Sequence, residues 1–136
     1  MEKPVKENEK KISPKNPYKK ETGNSGEEKA CNYLIKNGYS IIQRNYRTRR
    51  GEVDIIVEKG NVLVFVEVKT LPNGNAELLS HVLDIRKQKR IIKTAKCFLA
   101  IHRQYSNDFI RFDVIVVDMP GLPEVYHLEN AFAEIL

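Results

Sequence analysis

The 136-residue sequence predicts an α/β fold: a central mixed β-sheet flanked by helices, in the order α-β-β-β-α-β-β. Three observations carry the prediction. Two segments, near residues 30 and 95, place apolar residues at helical spacing. Five others are short runs rich in Val, Ile, Phe and Tyr, bounded by Gly, Pro or Asn. One of these, "DFIRFDVIVVD" (108–118), is apolar over consecutive positions, which suits a central strand. The length fits a single domain with its own core.

Residues 1–22, "MEKPVKENEKKISPKNPYKKET", lack a repeating apolar face and read as a disordered, net-positive, lysine-rich tail. Such a tail either holds nucleic acid loosely or acts as a solubilising extension. The domain is expected over 23–136. Its first helix starts near residue 24, with Asn24 or Ser25 as cap and Glu27 and Glu28 at the positive end of the dipole. Ala30, Leu34 and Tyr33 supply its apolar stripe, and Gly38 takes the position after its end. A first strand spans 39–48. Residues 51–70 form two strands around a tight turn at Gly60-Asn61. A loop over 71–80 leads to the clearest helix, 83–105, with Asp84 near its start. Ile85, Ile92, Ala95, Leu99 and His102 fall on one face, flanked by Ile91 and Phe98; Arg86, Lys89, Arg90, Lys93 and Lys96 fall on the other. Strand 108–118 follows, then a Pro120-Gly121 turn and a short last strand within 124–132.

Lys and Arg total 23 against 18 Asp and Glu, a net charge of +5 that favours polyanionic partners, nucleic acid before membrane. The two cysteines, Cys31 and Cys97, lie far apart with no CxxC spacing, so neither a structural zinc site nor a disulfide framework is expected. No stretch suits a transmembrane helix, and the N-terminus lacks the apolar segment of a signal peptide. A cytoplasmic protein without membrane association is expected. His81, His102 and His127 show no metal-ligand spacing, and His102, on the apolar helix face, reads as a core histidine.

The hairpin carries the chemistry. "VFVEVKT" (64–70) places Glu67 and Lys69 in a run of strand formers, on one face with Phe65. In the preceding strand Glu52, Asp54, Ile56 and Glu58 share a face, and Val53, Ile55 and Val57 share the other. A two-residue turn pairs Lys59 with Val62, and this register sets Asp54 opposite Glu67 and Glu52 opposite Lys69. Facing carboxylates repel by about 4 kcal/mol at 4 Å in an effective dielectric near 20. A proton, a lysine or a divalent cation offsets this, and Mg²⁺ favours one or two carboxylates plus water and phosphate oxygens. Lys69 lies about 6–7 Å beyond Glu67 on the same face. The same spacing also fits a solvated face on which Glu52–Lys69 and Lys69–Glu67 are surface ion pairs of little worth.

Asp54 followed by Glu67-Val68-Lys69 on the next strand resembles the PD-(D/E)xK motif of restriction-endonuclease-like nucleases. Together with "GNSGEEKA" (23–30), "NYRTRRGEVDII" (45–56), "KQKRI" (87–91) and "RFDVI" (111–115), it resembles the uncharacterised YraN family of bacterial proteins, over roughly residues 23–118. That family is similar to archaeal Holliday-junction resolvases. The resemblance implies a restriction-endonuclease-like fold and a metal-dependent DNA endonuclease, with branched or recombining DNA as substrate. It implies Asp54, Glu67 and the Val68 carbonyl as ligands of Mg²⁺ (or Mn²⁺), Lys69 as the catalytic lysine and Glu27 as the acidic residue supporting the site from the first helix. A homodimer is a further expectation, since resolvase-like relatives are often dimers. Val53 stands where the motif has proline.

Arg47, Arg49 and Arg50 precede the hairpin and are expected to grip backbone phosphates. Lys87 and Arg90, on the basic helix face, are expected to join them; that face also fits a merely solvated surface. Asp113 reads as structural, a partner for Arg111 or Arg44. The rival functional reading is a non-catalytic nucleic-acid-binding module, or an adaptor of a DNA-processing assembly, on the same fold.

Overall fold

The computed structural model describes residues 17–75, 77 and 83–134, with side chains from Ser25 onward. The predicted tail over 1–16 and His81 lie outside these residues. The elements are α1 (Pro17–Lys36), β1 (Ser40–Thr48), β2 (Gly51–Lys59), β3 (Val62–Thr70), α2 (Ile85–Ile101), a single 3₁₀ turn (Arg103–Tyr105), β4 (Phe109–Val117) and β5 (Val125–Phe132). This is the α-β-β-β-α-β-β order of an α/β fold. None of the described helices is long and apolar enough to cross a membrane.

The sheet runs β1-β2-β3-β4-β5. β1, β2 and β3 pair antiparallel, β3 and β4 parallel, and β4 and β5 antiparallel, so the sheet is mixed. The parallel pair follows from α2, which supplies the crossover that parallel neighbours need. α1 and α2 cover opposite faces. Ala30, Cys31 and Leu34 of α1 bury against Ile55, Val57, Val64, Val66, Ile115 and Val117. Ile91, Ile92, Ala95 and Phe98 of α2 bury against Ile56, Leu63, Phe65, Phe112, Val114 and Val116. β4 is buried from Phe112 to Val117, as a strand covered on both faces must be.

Three local expectations change. α1 begins at Pro17, inside the stretch read as tail, and passes through residues 24 and 25, so neither caps it. Proline suits the first helical turn, where its missing N–H has no intrahelical partner to lose. At its other end Gly38 has φ +91°, and Tyr39 N–H donates to Leu34 O, the expected glycine stop. α2 ends at Ile101 rather than 105, where the chain tightens into the 3₁₀ turn; the Asp84 side chain caps its start by accepting from Lys87 N–H. Its seam is Ile91, Ile92, Thr94, Ala95 and Phe98, not the Ile85–His102 line; Ile85 is exposed, lying in the first turn where the sheet no longer covers it. His102 stacks on Phe98 and its Nδ1 lies 3.0 Å from Phe98 O, a satisfied packing histidine.

Two glycines set how close the helices come. A Cβ on Gly26 would collide with Thr70 Oγ1, so α1 crosses the end of β3 at backbone contact. Gly51, with φ +154°, lies against Thr94 and Arg90 of α2, and a Cβ there would sit 3.2 Å from Thr94 Oγ1. Both contacts lie at the end of the sheet where β2 begins and β3 finishes.

Candidate active site

At that end β2 and β3 part. Their backbone pairing runs from Lys59↔Val62 to Ile55↔Val66, the register expected from the turn. Beyond it, Val68 N–H donates to Asp54 Oδ2 at 2.8 Å. A side-chain carboxylate thus takes a place in the sheet's hydrogen bonding. The N–H and C=O of one residue leave an extended strand on the same side, so the Val68 carbonyl also points toward Asp54. The β1–β2 register puts Asn45 opposite Asp54, between Arg44↔Ile55 and Tyr46↔Val53. Asn45 has φ +54°, outside the extended range. The alternation of faces breaks here: Val53 packs with Ile56 and Phe65 on the α2 side, not with Ile55 and Val57 as a regular strand required. Glu52 pairs with Arg47 Nε at 3.1 Å, not with Lys69, because the parting strands no longer hold them opposite.

Asp54 and Glu67 are 8% and 6% exposed, which rules out the solvated-face reading for these two acids. Glu67 Oε2 carries two ammonium groups, Lys69 Nζ at 3.3 Å and Lys87 Nζ at 3.0 Å. No lysine among the described residues forms an ion pair with Asp54; burial, and then the Glu67 carboxylate, push its pKa up to about 7. Burial, and then a hydrogen bond with Lys87, lower that of Lys69. For Lys87, burial opposes the charge, but bonds to Lys69 and Glu67 outweigh it and raise its pKa.

The Asp54 shift has a measurable sign. The native carboxyl keeps its proton up to about pH 7, while the unfolded one loses it near 3.8. Between these values the native state binds more protons, so unfolding free energy falls as pH rises. The cation-free protein should therefore lose thermal stability from about pH 4 to 7, and D54N should flatten that slope. Asp113, held below its ordinary range, contributes its own slope only at lower pH. An unchanged slope in D54N, in melting curves across that window, would remove Asp54 as its origin.

Glu27 enters from α1. Burial raises its pKa against the pull of Arg44, whose Nη2 lies 3.5 Å from it, and a hydrogen bond from Asn45. Arg44 Nη1 also holds Glu28 at 3.1 Å, but Glu28 is largely exposed. All ten residues singled out in the sequence line one cleft of about 1030 Å³: Glu27, Asp54, Glu67, Val68 and Lys69 with Arg47, Arg49, Arg50, Lys87 and Arg90. Acids and Lys69 form its floor and the arginines its rim.

Arg44 and Asn45, which hold Glu27, were missed; both fall in a segment whose only sequence signal is that of a strand. Gly26 and Thr70 were missed as well, because a close approach between elements leaves no local signature. Asp113 lies outside the cleft. It is fully buried, accepting from Arg111 Nε and Nη2 at 2.9 and 2.8 Å and from Asn130 N–H at 2.9 Å, with His127 Nε2 at 2.6 Å. That bears out the structural reading with Arg111 as partner.

No group of three His, Cys, Asp or Glu side chains among the described residues converges as a metal cage. Two buried carboxylates and Val68 line the same cleft, and carboxylate and carbonyl oxygens are hard donors that fit a magnesium-like cation keeping several waters. Asp54 Oδ2 accepts from Val68 N–H, and Glu67 already carries two ammonium groups, so a cation here would share Glu67 with charges of its own sign.

Residues 26–117 match the model of the uncharacterised protein family UPF0102. Similar chains include the UPF0102 protein of Treponema denticola, 43% identical over 123 residues that span 82% of this chain and 95% of the relative. That of Treponema pallidum strain Nichols is 42% identical over 123 residues, 88% of this chain and 98% of the relative. That of Caldicellulosiruptor saccharolyticus is 43% identical over 117 residues, 84% of this chain and 98% of the relative. The matched segment holds every residue of the cleft, and the chain belongs to UPF0102, the YraN family.

Proposed function

We propose that this chain is a nuclease of the PD-(D/E)xK, restriction-endonuclease-like type. It hydrolyses DNA phosphodiester bonds with Mg²⁺ or Mn²⁺, and its substrates are branched or recombining DNA. The observation that carries this reading is the buried Asp54 and Glu67 pair, with the Lys69 ammonium 3.3 Å from Glu67, at the floor of an arginine-rimmed cleft. Two acids buried in one cleft cost stability that packing does not return, and a bound cation would offset it.

Asp54 and Glu67 would hold the cation with the Val68 carbonyl. The cation supplies Lewis-acid polarisation of a phosphoryl oxygen and a lowered pKa for water. Lys69 stabilises the negative charge that grows on the phosphoryl oxygens in the transition state. Arg49, Arg50 and Arg90 bind flanking phosphates and set the register of the backbone. Glu27, held by Arg44, adds an acceptor at the inner wall. A cytoplasmic location and a homodimeric state belong to the same proposal, the first in line with two free cysteines.

The rival reading is a nucleic-acid-binding module or adaptor that kept the fold. It draws support from the two lysines that already neutralise Glu67 without any cation. A cleavage assay on duplex, single-stranded and four-way-junction DNA, with Mg²⁺, Mn²⁺ or EDTA, separates the two. The expected result is cation-dependent cleavage, strongest on the junction. Salt-sensitive binding with no cleavage of any substrate would favour the module.

A further inference from the structure

Lys87 was placed by sequence among the nucleic-acid contacts, yet its ammonium rests on Glu67. One oxygen of a buried carboxylate thus accepts two ammonium groups, one from β3 and one from α2. The same carboxylate is the proposed ligand of a divalent cation. A cation on Glu67 meets two like charges close by, a repulsion that is relieved if one of them moves away.

The geometry indicates which group leaves. Lys69 projects from the strand that carries Glu67, two residues along and on the same face. Lys87 reaches across the cleft from the first turn of α2. Its backbone is pinned, since Lys87 N–H donates to Asp84 Oδ1 at 2.9 Å; its side chain is no more exposed than that of Lys69, but it comes from a different element and lies beside Arg90 on the cleft wall. It can swing without moving the helix.

We propose that Lys87 is a cation-linked positioning residue. Without a divalent cation it clamps Glu67 and keeps the acid oriented in the cleft. When the cation takes Glu67, the ammonium is displaced toward the arginine rim and becomes available to a phosphate of the bound backbone. The inference rests on the nuclease reading of this site. It also reconciles the two positions of Lys87, the one expected from sequence and the one in the structure. By linkage, cation binding then strengthens DNA binding and DNA binding strengthens cation binding by the same factor.

The test is a thermodynamic cycle on the full chain, with Ca²⁺ as the oxygen-seeking probe cation. Ca²⁺ affinity is measured by calorimetry with and without a duplex. Duplex affinity is measured by fluorescence anisotropy in Ca²⁺ and in EDTA, with the duplex checked as intact on a gel. In wild type, saturating Ca²⁺ should raise duplex affinity about tenfold or more, within the usual range of coupling. K87Q, lacking the competing charge, should bind Ca²⁺ roughly five- to tenfold tighter in the absence of DNA and lose most of the coupling. K87R, which keeps a positive charge at this position, should retain most of the wild-type coupling, and matched melting curves exclude a folding effect. Ca²⁺ binding in K87Q equal to or weaker than wild type, with coupling intact, overturns the role of Lys87 and leaves the nuclease reading standing. Failure of wild type to bind Ca²⁺ at all overturns both.

Discussion

Lys69→Met should lower the rate of cation-dependent DNA cleavage by about 10²–10³-fold, the usual loss when one preorganised charge is removed from a transition state. Its melting temperature should stay near that of wild type, because Lys87 remains on Glu67 Oε2 at 3.0 Å and the buried carboxylate keeps a partner. Glu67→Ala should remove cleavage at least as completely but with a different signature. It takes away a proposed cation ligand, and it leaves Lys69 and Lys87 facing one another with no anion between them. Duplex binding should survive in both variants, since the arginine rim is untouched, and should be tighter in Glu67→Ala, where a negative charge has left the cleft. The measurements are single-turnover cleavage, anisotropy titration and thermal melting on the same preparations. Cleavage unchanged in both variants would remove the assignment of this site.

Asp113→Ala should destabilise the domain by about 3–5 kcal/mol, the cost of stranding the partners of a buried charge. Asp113 is fully buried at the β4–β5 bulge and ties four groups together: two nitrogens of Arg111, His127 Nε2 and the Asn130 backbone. Burial works against its charge, yet bonds from His127 and Arg111 hold its pKa below the ordinary value. Arg111 also donates to Tyr39 Oη at 2.6 Å, so the loss would spread to the residue just before β1. For a domain of this size the expected fall in melting temperature is roughly 10–20 °C. A drop of a few degrees would mean that the network re-forms around water. Cleavage measured well below the melting temperature should be retained, because Asp113 does not line the cleft.

Both the fold and the cleft were readable where the signal is periodic or where a turn fixes geometry. A two-residue turn at Gly60-Asn61 predicts the Lys59↔Val62 register, and the strands keep it as far as Ile55↔Val66; beyond that Asp54 meets Val68 N–H and has no paired residue on β3. The continuous apolar run of β4 announced a covered strand. The seam of α2 departs from the apolar pattern because it takes in Thr94, which is fully buried and whose hydroxyl donates to Arg90 O and so needs no water. α1 starts earlier than the sequence suggests because residues 17–22 carry no apolar stripe to mark a helix, and Gly26 within it does not break it. Gly26 is instead the point at which a helix touches a strand. The face of Val53 was misread because strand alternation assumes regular backbone, and a left-handed Asn45 opposite Asp54 ends that regularity.

The hydrogen bond from Val68 N–H to Asp54 Oδ2 bears on how change within the family can be interpreted. Asp54 serves two masters: it completes the backbone of β3 where β2 turns away, and it would ligate the cation. Under the proposed nuclease reading, a relative without the chemistry would still need a short acceptor at this position. Glu67 and Lys69 face no such obligation, since what they bind is each other and Lys87. Their drift, with Asp54 retained, would be the mark of a descendant that had become a binding protein.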